Sequence, residues 1–176
     1  MLFKRTAGIV AIAVFISSCI EQPTAATMPD VEIAAAGAGR VVSSARGSGH
    51  FDVNNEYRTF AFNARKSSDG TTDGQWQLQS RHTNSTLHGN VQCISFDGST
   101  AWFSGVVTKS DLPSYPVGTV VGMIVVDNGE GAGAPADQVS LLPKVGATWC
   151  ATPVATLINS VIGPFDIVNG NVQVTP

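Results

Sequence analysis

From residue 40 onward, hydrophobic and polar positions alternate with a period of two, in short runs broken by glycine, asparagine, aspartate and proline. Alternation of this kind puts apolar side chains on one face of a β-strand and polar ones on the other. Val41–Val53 reads as a strand with a glycine-rich middle, and Arg58–Arg65 places Phe60, Phe62 and Ala64 on one face. Gly74–Ser80 turns Trp76 and Leu78 inward and Gln75, Gln77 and Gln79 outward. Thr86–Phe96 is one long strand, or two joined at Gly89. Asp97-Gly98 fits the positive φ angles of a type I′ hairpin turn, with Ala101–Thr108 as the returning strand. Trp102 is assigned to the inward set with Phe60, Phe62, Trp76 and Leu78. Thr119–Asp127 is apolar on both faces and so predicts a central strand, and Gln138–Leu142 closes the sheet. Short strands separated by regular turn signals predict an all-β fold, an antiparallel β-barrel or β-sandwich of about eight strands. From about residue 144 the pattern turns irregular. Ala151–Ile162 suits a short helix or an irregular strand, and Pro164–Val168 with Asn171–Val174 forms a second hairpin candidate around Asn169-Gly170.

The first 38 residues follow another rule. Lys4 and Arg5 precede Gly8–Ile16, an apolar run without a charge. A membrane-spanning helix needs about 20 apolar residues, so this run suits the core of an export signal. A buried N-terminal helix would show an amphipathic stripe, and this segment is apolar on every side. Ile16-Ser17-Ser18-Cys19 resembles the lipobox of bacterial lipoproteins: an aliphatic residue, two small residues and a cysteine. That resemblance implies a diacylglyceryl group on the Cys19 thiol, cleavage before it, and an acyl chain such as palmitate on the new amino group. Two or three acyl chains anchor stably where one is marginal. The alternative is ordinary secretion with cleavage after Ala25 or Ala26. In Gram-negative lipoproteins an aspartate after the cysteine favours the inner membrane; Ile20 stands here, which favours the outer membrane. Residues 20–38, rich in Ala, Pro and Thr, read as a tether. The expected organisation is therefore a signal peptide over 1–18, a flexible tether over 19–38 and an antiparallel β domain over 39–176.

Charge and cysteine content narrow the picture. The formal charge is −3, and cleavage before Cys19 removes Lys4 and Arg5 with no acid, leaving −5. The remaining basic residues are scattered, whereas nucleic-acid binding needs clustered cations to displace counterions, so that class is set aside. Of three cysteines, lipidation of Cys19 leaves Cys93 and Cys150. A disulfide between them suits an oxidising compartment and closes a long loop, a stabilisation of roughly 4 kcal/mol in the chain-entropy model. Two buried free thiols are the alternative.

Candidate chemistry is sparse. Asp127, Asn128, Glu130 and Asp137 bring four oxygen side chains into one Gly/Ala/Pro loop. Calcium takes six to eight oxygen ligands, so the loop is a possible calcium site, although its spacing departs from the EF-hand. The competing reading is a solvated turn in which Asp and Asn bond local backbone groups. His82 and His88 flank a turn and would ligate zinc only with a third ligand. Asp69 and Asp73 are turn formers, with nothing to place them across a cleft as a glycosidase pair. Trp76, Trp102 and Trp149 are candidates for a ligand platform, with core filling the expected role of Trp76 and Trp102.

Gly49-His50-Phe51, Arg58 to Ala64, Gly89 to Cys93, Thr100-Ala101-Trp102 and Val126 to Gly131 together resemble small secreted bacterial β-domains of uncharacterised function. The resemblance covers about residues 40–142 and brings no active site. The expectation is a membrane-anchored, extracytoplasmic lipoprotein with a non-enzymatic binding or structural β-domain. The alternative is a carrier of a small apolar ligand in a barrel cavity. A hydrolase or isomerase comes last, because no catalytic constellation is visible.

Overall fold

The computed structural model describes residues 39–176, so the leader, Cys19 and the tether lie outside the described residues. The chain runs as β1 (Val41–Val53), β2 (Glu56–Ser67), β3 (Thr72–Ser80), β4 (Ser85–Asp97), β5 (Thr100–Ser110), β6 (Val120–Val126) and β7 (Gln138–Val139). A 3₁₀ turn (Trp149–Ala151) and one short helix, α1 (Val154–Leu157), precede β8 (Phe165–Asp166) and β9 (Asn169–Thr175). All nine strands belong to one antiparallel sheet in the order β8-β7-β6-β5-β4-β3-β2-β1-β9. The expected all-β antiparallel class holds, as a single curled sheet that forms a half-barrel.

Turn chemistry explains the meander. Val53 pairs with Glu56 across Asn54 and Asn55, both at positive φ (52° and 64°), the geometry of a type I′ hairpin. Asp97 pairs with Thr100, so the loop there is Gly98-Ser99, and only Gly98 has a positive φ. That corrects the expected type I′ turn at Asp97-Gly98. A single left-handed residue at the first loop position is the type II′ arrangement, which glycine alone accommodates without strain.

The second hairpin expected at Asn169-Gly170 is also corrected. The two pieces of the C-terminal segment bond to opposite ends of the sheet. Phe165 pairs with Val139 on β7, whereas Val172 pairs with Gly47 and Val174 with Ala45 on β1. Between them, the Ile167 N–H donates to the Asp137 carbonyl and the Val168 N–H to the His50 carbonyl. One segment therefore bridges the open side of the half-barrel.

The concave side is filled. Phenylalanine rings follow one another across it: Phe165 to Phe51 at 5.8 Å, Phe51 to Phe60 at 5.9 Å, Phe60 to Phe62 at 6.1 Å and Phe62 to Phe103 at 5.2 Å. Phe62 on β2 reaches Phe103 on β5, which is not its neighbour in the sheet, so side chains meet across the interior. Trp76 lies flat against two strands that carry glycine beneath it. A Cβ at Gly89 would stand 2.2 Å from Trp76 Cζ2, and one at Gly105 would stand 2.3 Å from its Nε1.

A second apolar cluster forms on the convex side, where Trp102, Ile124, Trp149 and Leu157 bury one another under the segment that carries α1. Trp102 is buried, but on the face opposite the one expected. Phe103 takes the inward position, opposite Ile94 and Met123. Both faces of β5 are covered from Ala101 to Gly105, so the alternation there carries no polar phase to read. The Cys93–Cys150 disulfide fastens this covering segment to β4, with the two Cα atoms 6.1 Å apart. The expected pairing is present.

Candidate functional site

With the concave side packed, an open groove lies on the outer wall of β2 to β5. It has a volume of about 430 Å³ and is lined by Asn63, Gln75, Gln77, His88, Asn90 and Thr108, together with Ala61 and backbone neighbours. Strand register builds it. Asn63 stands opposite Gln75, and Gln75 opposite Asn90, making one row across three strands. Ala61, Gln77 and His88 make the next row. Ala61 is the small member, and it opens space between its longer neighbours.

The β4–β5 pairing slips between His88 and Gly89 and again between Val91 and Cys93. Bulges bend and over-twist a strand, which re-aims the side chains beside them. Gly89 is held at that bend because Trp76 fills the space its side chain would need. The groove therefore depends on the same indole that packs the interior.

Its chemistry is uniform. Asn63 Oδ1 accepts the Gln75 backbone N–H at 2.9 Å, which fixes that amide. Thr108 Oγ1 donates to the His88 carbonyl at 3.4 Å. Among the described residues, no side-chain hydrogen bond engages the Gln75, Gln77 or Asn90 amides. No carboxylate, lysine or arginine is among the lining residues, and Lys109, paired with His88 on β5, stands at the border of the groove. The nearest ion pair along β2 and β3, Arg65 Nε to Asp73 Oδ1 at 2.7 Å, forms the next row on the same face, beside Asn63 and Gln75.

The loop read as a possible calcium site directs its oxygen side chains at backbone and amide donors. Asp137, only 6% exposed, accepts the Val172 N–H at 2.7 Å and the Asn128 N–H at 2.8 Å. Asp127 accepts the Val174 N–H at 2.9 Å through one oxygen and the Gly129 N–H through the other. Glu130 accepts from Asn171 Nδ2 at 2.7 Å, and Asn128 donates its amide to the Ala136 carbonyl. Val172 and Val174 point their N–H groups away from β1, toward the side where β9 has no partner strand. The two aspartates bond those exposed N–H groups and join β9 to the β6–β7 connection. Their oxygens are aimed at N–H donors rather than at a common point. Among the described residues, no group of three or more His, Cys, Asp or Glu side chains could hold a metal.

The other candidates are placed as follows. His88 lines the groove, while His82 is exposed with its Nε2 3.9 Å from Glu56. Asp73 pairs with Arg65, and Asp69 accepts both the Thr71 hydroxyl (2.7 Å) and the Thr71 N–H (2.9 Å). Those two bonds, with a further one from the Gly39 N–H, hold the Asp69 carboxyl below the usual carboxylate range. Trp76, Trp102 and Trp149 are all buried, so none offers an exposed platform. The groove residues Asn63, Asn90 and Thr108 carried no sequence signal, although Gln75 and Gln77 read as outward-facing. Only strand register brings the five together. No family model, no curated protein and no solved structure matches the chain.

Proposed function

We propose that this chain is a lipoprotein of the cell envelope, anchored by lipid on Cys19, whose β-domain is a non-enzymatic binding module that uses the outer groove of β2 to β5. One observation carries the binding part: a groove on the wall of a sheet whose interior is full carries three amides, Gln75, Gln77 and Asn90, that no side-chain hydrogen bond engages. A 430 Å³ concavity falls within the range of small-ligand sites, roughly 300–1,000 Å³. Reactions of the hydrolase class need an activated nucleophile or paired acid–base groups, and the lining supplies one imidazole, His88, with no carboxylate or thiol beside it and with the Thr108 hydroxyl bonded to a backbone carbonyl. The carrier alternative loses its support, because phenylalanine rings and Trp76 occupy the space an apolar ligand would take.

Anchoring is supported by the lipobox-like Ile16–Cys19 run and by the paired state of the other two cysteines. Gly39 lies against the β2–β3 turn through its N–H bond to Asp69, and Thr175 pairs with Ser44 near the same end.

The two parts are tested separately. Intact mass of the full-length protein expressed in a bacterium should show diacylglyceryl and acyl groups on residues 19 onward, and Cys19→Ala should abolish them. An unmodified wild-type N-terminus overturns the anchor. Amide shift mapping against a panel of sugars, peptides and lipids should cluster on β2 to β5. Shifts confined to other surfaces overturn the binding site.

A further inference from the structure

We propose that the groove binds an uncharged, hydroxyl-rich chain, a neutral glycan; the inference rests on the binding-module reading above and names its ligand class. The lining offers primary amides, a hydroxyl and an imidazole, with no lysine, arginine or carboxylate. Each primary amide presents two donors and an acceptor at one end, which matches adjacent sugar hydroxyls that both give and accept hydrogen bonds. A phosphate or carboxylate ligand calls for arginine or lysine, whose charge-assisted bonds supply most of its affinity. An acyl chain calls for an apolar floor. An extended peptide is recognised best by a free strand edge, and this site is the face of a sheet.

Spacing points the same way. Asn63, Gln75 and Asn90 stand on consecutive strands, which lie about 4.8 Å apart. A row of amides at that interval matches the repeat of successive rings in an extended glycan. The parallel row of Ala61, Gln77 and His88 has a gap at Ala61, where a ring can seat between polar neighbours. Hydrolysis of a glycosidic bond needs a pair of carboxyl groups flanking it, and the groove has neither. The ligand is held and released unchanged.

The test uses the full-length protein in detergent micelles, titrated by calorimetry with four probes. Two are neutral, a β-glucan hexasaccharide and an N-acetylglucosamine hexasaccharide. The others are a polygalacturonate oligomer and an uncharged decapeptide. Gln75→Ala with Asn90→Ala removes two exposed amides, and the unchanged melting curve of that variant confirms its fold. Gln173→Ala, on β9 and outside the groove, is the control. The expected result is binding of at least one neutral hexasaccharide, weakened at least about tenfold by the double variant and unaffected by the control. Should the polygalacturonate or the peptide bind in the groove instead, the neutral-glycan class is overturned and the binding module stands. Should no probe respond to the groove variant, both readings fall.

Discussion

Replacing Asp137 with alanine tests the bridge between β9 and the β6–β7 connection. Asp137 is buried and receives two backbone N–H groups, from Val172 at 2.7 Å and Asn128 at 2.8 Å. Hydrogen bonds to a charged acceptor contribute about 1.5–3 kcal/mol each, and a buried donor left without a partner costs the upper part of that range. The Val172 side chain is fully buried, so its N–H gains little from water. The Asn128 group is half-exposed and recovers more. The expected loss for Asp137→Ala is about 3–4 kcal/mol. In a domain of this size each kcal/mol lowers the midpoint by roughly 3–5 °C, which gives a fall of about 9–20 °C. Asp127→Ala should cost less, about 1–1.5 kcal/mol, because its partners Val174 and Gly129 are only partly covered. Thermal melts of the full-length protein and both variants, in millimolar calcium and in chelator, check the reasoning. The curves with and without calcium should overlay. An Asp137→Ala midpoint within about 3 °C of the parent would refute the role assigned to this carboxylate. A calcium-dependent rise in the parent, lost in the variant, would replace it with a cation site.

Three further outcomes are expected. Cys150→Ser removes the link between β4 and the segment over Trp102, and should lower stability by roughly 3–4 kcal/mol; an unchanged urea midpoint would contradict the chain-entropy account. Gly89→Ala sets a Cβ 2.2 Å from Trp76 Cζ2 and 2.4 Å from the Val106 carbonyl, so it should cost about 2–3 kcal/mol and shift the fluorescence of Trp76; a parent-like spectrum and midpoint would count against that packing. The Asp69 carboxyl is held below its ordinary range by Thr71 and Gly39, so its contribution is present above about pH 4 and is lost as pH falls through the depressed value. Asp69→Ala should therefore flatten the stability profile below about pH 4 and leave its shape above that unchanged, as read from midpoints across an acid series.

The strands of β1 to β4 were legible in the sequence because one face of each is wet. Phe60, Phe62 and Ala64 alternate with polar residues, and Trp76 alternates with Gln75 and Gln77. Trp102 reads on the wrong face for the converse reason. The 144–162 segment dries the outer side of β5, so Ala101 through Gly105 are buried without interruption and the polar phase disappears. Period-two reasoning loses its reference wherever a second layer covers the sheet. The C-terminal hairpin failed differently. Asn169-Gly170 is a strong turn signal locally, but the long-range bonds of Ile167 to Asp137 and Val168 to His50 send the two halves apart. The cysteine count led to the disulfide without any geometry. The groove was not legible, because no two of its residues on different strands lie close in sequence and only register joins them.

The distribution of polar residues over the outer surface adds an argument about why this wall stands free. The convex side of β5 and β6 is covered by the disulfide-fastened segment, and the free side of β9 is bonded by Asp127 and Asp137. The outer wall from β2 to β4 has neither cover. A wet strand face that only needs solubility is served well by lysine and glutamate, which keep their charges hydrated and discourage association. Here the face carries Asn63, Gln75, Gln77, Gln79, His88 and Asn90 in its place, while ion pairs such as Arg65–Asp73 sit at its margin. Amides are more easily stripped of water than charges, since an isolated ion in a low-dielectric site costs far more than a neutral polar group. A surface of unengaged amides can therefore be covered by a ligand that replaces their water bonds one for one, at a desolvation cost that a charged face would multiply. That difference supports the proposal that the uncovered wall of β2 to β4 is a contact surface.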